Sequence, residues 1–267
     1  MAQFIAISRR LFLARLGKGT MALVVLGACG DQGTTTTIGQ GSATTLAPTT
    51  TASPATTSAS ASTSTTGSTA TPLFHRVNLG FVSAYLVVRG SEAAVVDTGV
   101  AGSEGDIEAG LGELGLSWDA VGHVVLTHHH PDHVGSVSPV MEAAAASTGY
   151  IGEADLDNVS SPRELVPLVD GEEVFGLTVI HTPGHTEGHI SLLDPAAGVL
   201  VAGDAINGAD GGVTGPNPQF SSDHDQALAS MAKLATFQFE TIYFGHGEPV
   251  LTGGADKLRA EVGGGRY

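Results

Sequence analysis

The feature that most constrains this chain is a histidine-rich segment at residues 127–135, with the sequence THHHPDHVG. It follows an apolar run at residues 124–126 that predicts a buried strand. His128 and His130 are two positions apart, so in extended backbone they project to the same side. Imidazole nitrogens and the Asp132 carboxylate together suit zinc, iron or manganese. Four histidines within six residues therefore predict a metal site rather than a solvated loop.

Further acidic and histidine residues occupy comparable places along the chain. Each follows a predicted strand, and glycines flank several of them; they are Asp97, His185, Asp204 and His246. Strand ends at one edge of a sheet commonly carry functional side chains. Glycine permits the tight turns and close backbone approach that such a site needs. We therefore expect these residues to join the histidine-rich segment at one edge of a sheet.

The order of the predicted elements indicates a layered fold of sheets and helices. The patterns predict strands at residues 81–88, 93–96, 121–126, 175–180, 190–193, 199–202 and 241–244, and helices at residues 107–116, 134–147 and 226–237. Their irregular alternation favours an α/β or layered α+β architecture. A long loop without secondary structure is expected at residues 205–222, and such loops are usually functional. Residues 207–220 are expected to form a wall of the substrate site.

The ordered set of candidate residues resembles the metallo-β-lactamase fold superfamily. The motif His128-x-His130-x-Asp132-His133, followed by His185, Asp204 and His246, matches the family's ligand order within residues 73–262. The resemblance implies an αββα sandwich with the metals at one edge, between the two sheets. Asp97 matches the family's Asp-Thr-Gly element, which implies that its carboxylate supports the ligand loops.

The resemblance also implies two divalent metal ions and their ligands. His128, His130 and His185 would hold the first metal, Asp132, His133 and His246 the second, and Asp204 would bridge both. Zinc is the expected metal, with iron or manganese as alternatives. A hydroxide shared by two metals is nucleophilic at neutral pH. Asp132 would be the catalytic residue that orients this hydroxide and passes a proton to the leaving group.

The implied function is a metal-dependent hydrolase that acts on a small-molecule ester, lactone or thioester. A fold does not determine a substrate, so β-lactam hydrolysis and a mononuclear iron persulfide dioxygenase stay open, as does a non-catalytic binding protein. Asp204 stands where true β-lactamases of this fold carry another residue, which disfavours β-lactams. The short segment after His246 disfavours glyoxalase II, whose helical substrate domain needs more chain.

Two more histidines lie beside the expected ligands. His129 lies between two of them and is expected to be exposed and to point away from the site. His189, four residues beyond His185, is a candidate to support the ligands from behind. No Gly-x-Ser-x-Gly element occurs in the sequence, so no serine nucleophile is expected.

The N-terminus predicts export rather than a folded element. Arg9 and Arg10 lie in a stretch that resembles a twin-arginine signal, which a receptor reads. The apolar residues 16–28 are too few for a permanent membrane span. Residues 26–29 resemble a lipobox, and Cys29 is the only cysteine. We expect residues 1–29 to be an export signal and Cys29 to be lipidated, which would anchor the protein to the outer side of the cytoplasmic membrane.

Composition separates a linker from the folded domain. More than half of residues 33–72 are Ser or Thr, and such a tract cannot bury an apolar face, so residues 30–72 are expected to be disordered. The metallo-hydrolase domain is expected at residues 73–267. The formal net charge of −16 argues against nucleic acid as a partner, because a nucleic-acid partner would be repelled.

Overall fold

The structure is a computed structural model that describes residues 72–265. The predicted export signal at residues 1–29, the predicted lipidation site Cys29 and the predicted linker up to residue 71 lie outside the described residues. No helix among residues 72–265 has the length and apolar character needed to cross a membrane. The first strand begins at Leu73, where the composition changes from Ser/Thr-rich to mixed apolar and polar.

The first sheet contains six strands, which lie side by side in sequence order. They are β1 (Leu73–Asn78), β2 (Ser83–Arg89), β3 (Glu92–Val96), β4 (Val121–Leu126), β5 (Thr148–Gly152) and β6 (Leu165–Leu168). Strands β1 to β3 pair antiparallel, and β3 to β6 pair parallel. β3 and β4 are largely apolar and buried, as expected of strands covered on both faces.

The remaining strands build a second sheet and a separate hairpin. They are β7 (Glu173–Val174), β8 (Leu177–His181), β9 (Ile190–Asp194), β10 (Val199–Val201), β11 (Asn207–Ala209), β12 (Gly212–Thr214) and β13 (Thr241–Tyr243). The second sheet has the order β13-β10-β9-β8-β7. Its strands pair antiparallel except for β10 and β13. β11 and β12 form the hairpin, so the expectation of a loop without secondary structure at residues 205–222 was wrong.

Helices cover the outer faces of both sheets. They are α1 (Glu104–Glu113), α2 (Pro131–Val134), α3 (Val137–Ala143), α4 (His224–Leu234) and α5 (Gly254–Gly264), with 3-10 helices at Trp118–Ala120 and Glu153–Asn158. Helix α4 buries Ala227, Met231 and Leu234, a spacing that places them on one face.

Three apolar clusters hold these layers together. The first joins α1 and α3 to the outer face of the first sheet, through residues such as Ile107, Met141 and Val95. The second lies between the sheets and includes Val87, Val125, Val179 and Leu192. The third joins α4 and α5 to the second sheet, through Met231, Leu258 and Leu200. The order helix, sheet, sheet, helix confirms the αββα sandwich.

Two predicted elements differ from the observed ones. The helix predicted at residues 134–147 is shorter, at Val137–Ala143. It is separated from α2 where the backbone N–H of Gly135 donates to the carbonyl of Gly99 at 2.8 Å. The strand predicted at residues 175–180 begins instead as a turn between β7 and β8. Phe175 and Gly176 make this turn with φ angles of 51° and 73°. Six observed strands lie outside the predicted ones: β1, β5, β6, β7, β11 and β12.

Candidate metal centre

The residues expected in the metal site all lie just beyond the ends of strands. Asp97 follows β3; His128, His130, Asp132 and His133 follow β4; His185 follows β8; Asp204 follows β10; and His246 follows β13. The first sheet supplies the residues after β3 and β4, and the second sheet supplies the other three. The sandwich therefore brings these side chains together at one edge of the two sheets.

The first cluster consists of His128, His130 and His185. Each offers a ring nitrogen, and these atoms lie within 4.8 Å of one another. His130 Nδ1 lies 2.9 Å from His185 Nε2. Burial lowers the pKa of His128 well below its ordinary value and that of His185 to about 4. Both imidazoles are therefore held neutral, which is the form that binds a metal.

The second cluster consists of Asp132, His133 and His246, whose ligand atoms also lie within 4.8 Å of one another. Asp132 Oδ2 is 3.3 Å from His246 Nε2 and 3.9 Å from His133 Nε2. Contact with His246 lowers the pKa of the Asp132 carboxyl. The Asp132 and Asp204 carboxylates in turn raise the pKa of His246 to about 10. The two carboxylates therefore favour a positive charge beside them, and a bound divalent cation can supply that charge in place of the proton on His246.

Asp204 lies between the two clusters and contacts both. Its Oδ2 is 3.4 Å from His185 Nε2 in the first cluster and 3.2 Å from His246 Nε2 in the second. Its Oδ1 is 3.3 Å from His133 Nε2. Burial opposes ionisation, yet the facing histidines outweigh it and hold the pKa of Asp204 well below its ordinary value. Asp204 is therefore a buried anion shared by the two sets.

Several buried ligand atoms of the centre are better placed to bind a metal than to hydrogen-bond to one another. His128 Nε2, His133 Nε2 and Asp204 Oδ1 are buried and make no hydrogen bond, although the last two lie 3.3 Å apart; such unsatisfied atoms are rare in folded proteins. Tetrahedral ligands at the usual metal distances lie about 3.3 Å apart. The contacts of Asp204 with the histidines span 3.2 to 3.4 Å. The donor set therefore fits two divalent metals that share one carboxylate.

Gly245 shows how closely the backbone approaches this centre. A Cβ atom at this position would collide with the Asp204 carboxylate and with the His133 ring. The backbone N–H of Gly245 donates to the carbonyl of Gly203 at 3.0 Å. This bond joins the loops that carry Asp204 and His246, and only glycine fits there.

Asp97 holds the first ligand loop from behind. Its Oδ1 accepts the backbone N–H of Thr127 at 2.7 Å, and its Oδ2 lies 2.8 Å from His133 Nδ1. A hydrogen bond at Nδ1 leaves Nε2 of His133 facing the centre. Asp97 has a φ of 60°, a strained conformation for a residue with a side chain. These contacts fit the supporting role expected of Asp97.

Thr127 fixes the tautomer of His128. Its hydroxyl donates to Asp97 Oδ2 at 2.8 Å and therefore accepts from His128 Nδ1, which lies 3.0 Å away. With the proton on Nδ1, Nε2 of His128 carries a free lone pair. The carboxylate of Asp97 thus orients two histidines, one directly and one through Thr127.

His189 supports Asp204 through the backbone. Its Nε2 accepts the N–H of Asp204 at 3.0 Å, so Nδ1 carries the proton and donates to the Thr182 hydroxyl at 2.8 Å. Burial lowers the pKa of His189 well below its ordinary value, which keeps the ring neutral. His189 therefore positions the shared carboxylate, as its place after His185 had suggested.

Asp155 is a buried carboxylate that the sequence analysis missed. It accepts the hydroxyl of Thr186 at 2.6 Å, the N–H of Gly188 at 2.8 Å and the N–H of His129 at 3.1 Å. These bonds tie the loop that carries His128 and His130 to the loop that carries His185. No short motif marks Asp155, because its partners are brought to it only by the fold.

The expectation that His129 is exposed was wrong. Its side chain is only 30% exposed and its Nδ1 lies 3.0 Å from Asp155 Oδ1. His129 also lines the cavity beside the metal centre. It therefore belongs to the network that joins the ligand loops.

An open cavity of about 1000 Å³ lies over the centre. It is lined by candidate ligands (His130, Asp132, His185, Asp204, His246), by Phe81, and by the segment after Asp204 (Asn207, Asn217, Gln219, Phe220, Ser221, Ser222), among others. The segment after β10 thus forms a cavity wall, as expected for residues 207–220. The arrangement leaves the metal centre accessible to a small molecule from one side.

Comparison with known proteins identifies the family. The model of the metallo-beta-lactamase superfamily matches residues 77–246, a span that contains all the candidate ligands. The chain belongs to the metallo-beta-lactamase superfamily. The family includes hydrolases that hold divalent metals with such histidine and aspartate clusters.

The chain is similar to an uncharacterised protein, to a named hydrolase and to a protein of known structure. YobT of Bacillus subtilis, an uncharacterised protein, is 30% identical over 211 residues, which cover 68% of this chain and 89% of YobT. The hydroxyacylglutathione hydrolase of Alkalilimnicola ehrlichii is 37% identical over 156 residues, which cover 58% of this chain and 56% of that enzyme. The chain spans about half the length of the hydroxyacylglutathione hydrolases that it matches. The structure of TTHA1623 in a di-iron-bound form superposes with a TM-score of 0.53 at 29% identity, covering 63% of this chain and 88% of that one.

The Asp155 network predicts a stability effect. Asp155→Asn replaces one carboxylate oxygen, which accepts hydrogen bonds, with an amide nitrogen, which cannot accept them. The N–H or O–H groups that faced that oxygen lose their acceptor, so the free energy of unfolding should fall by about 1–3 kcal/mol. Asp157→Asn, on the same 3-10 helix but exposed, is the matched control and should leave stability unchanged. Chemical denaturation measures both, and equal unfolding midpoints for the two variants would contradict the role given to Asp155.

Proposed function

We propose that this protein is a dinuclear metallo-hydrolase of an ester, lactone or thioester. The observation that carries the proposal is the position of Asp204, within 3.4 Å of a histidine from each cluster. A carboxylate shared in this way suits two metals held side by side. The complete second cluster favours this function over a mononuclear iron dioxygenase, which needs only one set of ligands.

The proposed ligands follow the two clusters. His128, His130 and His185 hold the first metal, Asp132, His133 and His246 hold the second, and Asp204 is common to both. Nitrogen and oxygen donors of this kind favour zinc, and they also accept iron or manganese. The di-iron form of TTHA1623 supports iron as the alternative to zinc.

Bound divalent metals supply a water-derived nucleophile at neutral pH and polarise the substrate carbonyl. In the hydrolysis the acyl–oxygen or acyl–sulfur bond breaks, the water oxygen joins the acyl carbon, and a proton goes to the leaving group. Asp132 is the proposed catalytic residue for that proton. It lines the cavity, and contact with His246 lowers the pKa of its carboxyl, so it is ionised and able to accept the proton.

A hydrogen bond at its outer nitrogen orients the His246 ring for its proposed role. Its Nδ1 donates to the carbonyl of Phe81 at 2.7 Å, which turns Nε2 towards Asp132 and Asp204. A hydrogen bond to the outer nitrogen of a ligating histidine fixes the ring and its tautomer. The loop between β1 and β2 therefore takes part in forming the metal centre.

The names of the relatives support a thioester within the proposed range. Hydroxyacylglutathione hydrolases at 37% and 36% identity are thioester hydrolases by name. Because the chain spans about half their length, we propose only the shared hydrolytic chemistry and not their substrate. A small molecule is the proposed partner, and the net charge of −16 supports the exclusion of nucleic acid.

We further propose that the protein acts at the cell envelope, tethered through lipid on Cys29. Arg9 and Arg10 and the lipobox-like residues 26–29 support this location. The Ser/Thr-rich residues 30–72 would then separate the catalytic domain from the membrane surface.

The shared carboxylate predicts a joint loss of both metals. Asp204→Ala leaves two cations facing each other without their common anion, so metal content should fall from two per chain and kcat/KM should fall at least about 100-fold. Asp119→Ala, at an exposed position outside the cavity, should keep two metals per chain and the wild-type kcat/KM. Elemental analysis and ester hydrolysis on the same samples measure this. Retention of two metals and the wild-type rate in Asp204→Ala would refute the proposed centre.

The envelope location predicts dependence on a single thiol. Cys29→Ser should move the protein out of the membrane fraction, because lipid can no longer be attached at that position. Thr34→Ser, five residues further along the chain, should leave it there. Membrane fractionation with mass spectrometry of the N-terminus measures both. An intact Met1 on membrane-free cytosolic protein would contradict the export proposal.

A further inference from the structure

We propose that the cavity over the metal centre selects an uncharged acyl substrate with an apolar chain, and discriminates against substrates that carry a carboxylate. This inference rests on the proposed hydrolytic function and names its substrate class. It follows from which charges line the cavity and from where the exposed aromatic side chains lie.

Among the residues that the structure describes, the cavity has no lysine or arginine; its basic side chains are the proposed ligands His130, His185 and His246, and His129, which contacts Asp155. Every lysine and arginine of residues 72–265 is hydrogen-bonded elsewhere: Arg76 to Glu248, Arg89 to Asp194, Arg163 to the carbonyl of Met141, Lys233 to Asp170, Lys257 to the carbonyl of Gly211, and Arg259 to Asp256. A substrate carboxylate would therefore lose water in the cavity without gaining a lysine or arginine partner from the described residues.

Arg76 contacts a ligand loop from outside the cavity. It donates to the Glu248 carboxylate at 2.8 Å, to the carbonyl of Gly247 at 3.2 Å and to the Ser83 hydroxyl at 2.9 Å. Gly247 follows His246 directly, so Arg76 braces the ligand loop from its outer side. Three partners hold its guanidinium there, and it does not line the cavity.

The acidic side chains of the cavity add repulsion. Asp132 and Asp204 are proposed metal ligands, and Asp155 is buried and hydrogen-bonded within the protein. Glu187 also lines the cavity, and it is exposed. Its negative charge opposes approach of an anion.

Two aromatic side chains give the cavity an apolar surface. Phe81 and Phe220 are each 63% exposed, although burial is the usual state of so large an apolar group. Both line this cavity. Phe81 stacks on the His246 ring, with centroids 6.0 Å apart and planes 8° from parallel. Phe220 lies in the segment after the β11–β12 hairpin, so the two rings come from different loops. Pockets with exposed aromatic rings favour apolar ligand groups.

Uncharged polar groups complete the lining. Asn158, Asn217, Gln219 and Ser221 are among them, and their amides and hydroxyl can bind a neutral ester or lactone without a net charge. The combined surface suits an uncharged ester or lactone with an apolar acyl chain. It does not suit a glutathione thioester or a β-lactam, both of which carry a carboxylate.

A pair of matched esters tests this selection on the full-length, metal-loaded protein. The probes are 4-nitrophenyl hexanoate and the 4-nitrophenyl monoester of adipate, which have the same chain length and end in a methyl group and a carboxylate, respectively. At low ionic strength, kcat/KM for the hexanoate should exceed that for the adipate monoester by at least about tenfold. Added salt should narrow the ratio, because it screens the repulsion by Glu187.

Two variants locate the selection within the cavity. Glu187→Lys should narrow the hexanoate-to-adipate ratio of kcat/KM by about fivefold or more. Glu113→Lys makes the same change of net charge on α1, outside the cavity, and should not narrow this ratio. Phe220→Ala should raise KM for the hexanoate by about fivefold and leave kcat unchanged. Leu251→Ala, at a side chain that is 62% exposed and outside the cavity, should change neither.

The results distinguish failure of the substrate selection from failure of the hydrolase function. Hydrolysis of both esters with equal kcat/KM, or a preference for the adipate monoester, would overturn the selection and leave the hydrolase function standing. Hydrolysis of neither ester nor of any lactone or thioester, by protein that contains two metals, would overturn the hydrolase function and the selection with it. An equal effect of Glu187→Lys and Glu113→Lys would show that net charge, and not the cavity, sets the preference.

Discussion

The centre of this molecule depends on one buried anion, the carboxylate of Asp204. It is 6% exposed and has histidines on both sides. A buried charge is costly unless partners surround it, and here the partners come from loops after three other strands, β4, β8 and β13. The loops must therefore hold their positions together, since displacement of any one leaves a charge or a ring nitrogen without a partner. In the proposed centre, two metals supply the positive charge that this arrangement requires.

The support around the ligands is as specific as the ligands themselves. Asp97, with its φ of 60°, orients His133 directly and His128 through Thr127. His189 holds the N–H of Asp204, and Asp155 ties together the loops of both sheets. Each of these groups is buried, so its hydrogen bonds are made in a low-dielectric interior where a misplaced proton is costly. The tautomers of His128 and His133 thus follow from the fold.

The sequence predicted the layers and the ligand positions better than it predicted their connections. Apolar runs identified β3, β4, β9 and β10 because those strands are buried on both faces, and the histidine and aspartate residues followed them directly. The break between α2 and α3 was missed because it depends on a hydrogen bond from Gly135 to a loop 36 residues earlier. Asp155 was missed for the same reason, since its partners are 26 to 33 residues away. Long-range contacts of this kind leave no local pattern in a sequence.

Anomalous X-ray diffraction from crystals of the metal-loaded protein tests the central claim most directly. Data collected on either side of the zinc and iron absorption edges identify each metal and its position. The account predicts two anomalous peaks, one among His128, His130 and His185 and the other among Asp132, His133 and His246, with Asp204 between them. A single peak, or no peak in protein that hydrolyses its substrate, would contradict a dinuclear centre built on a shared carboxylate.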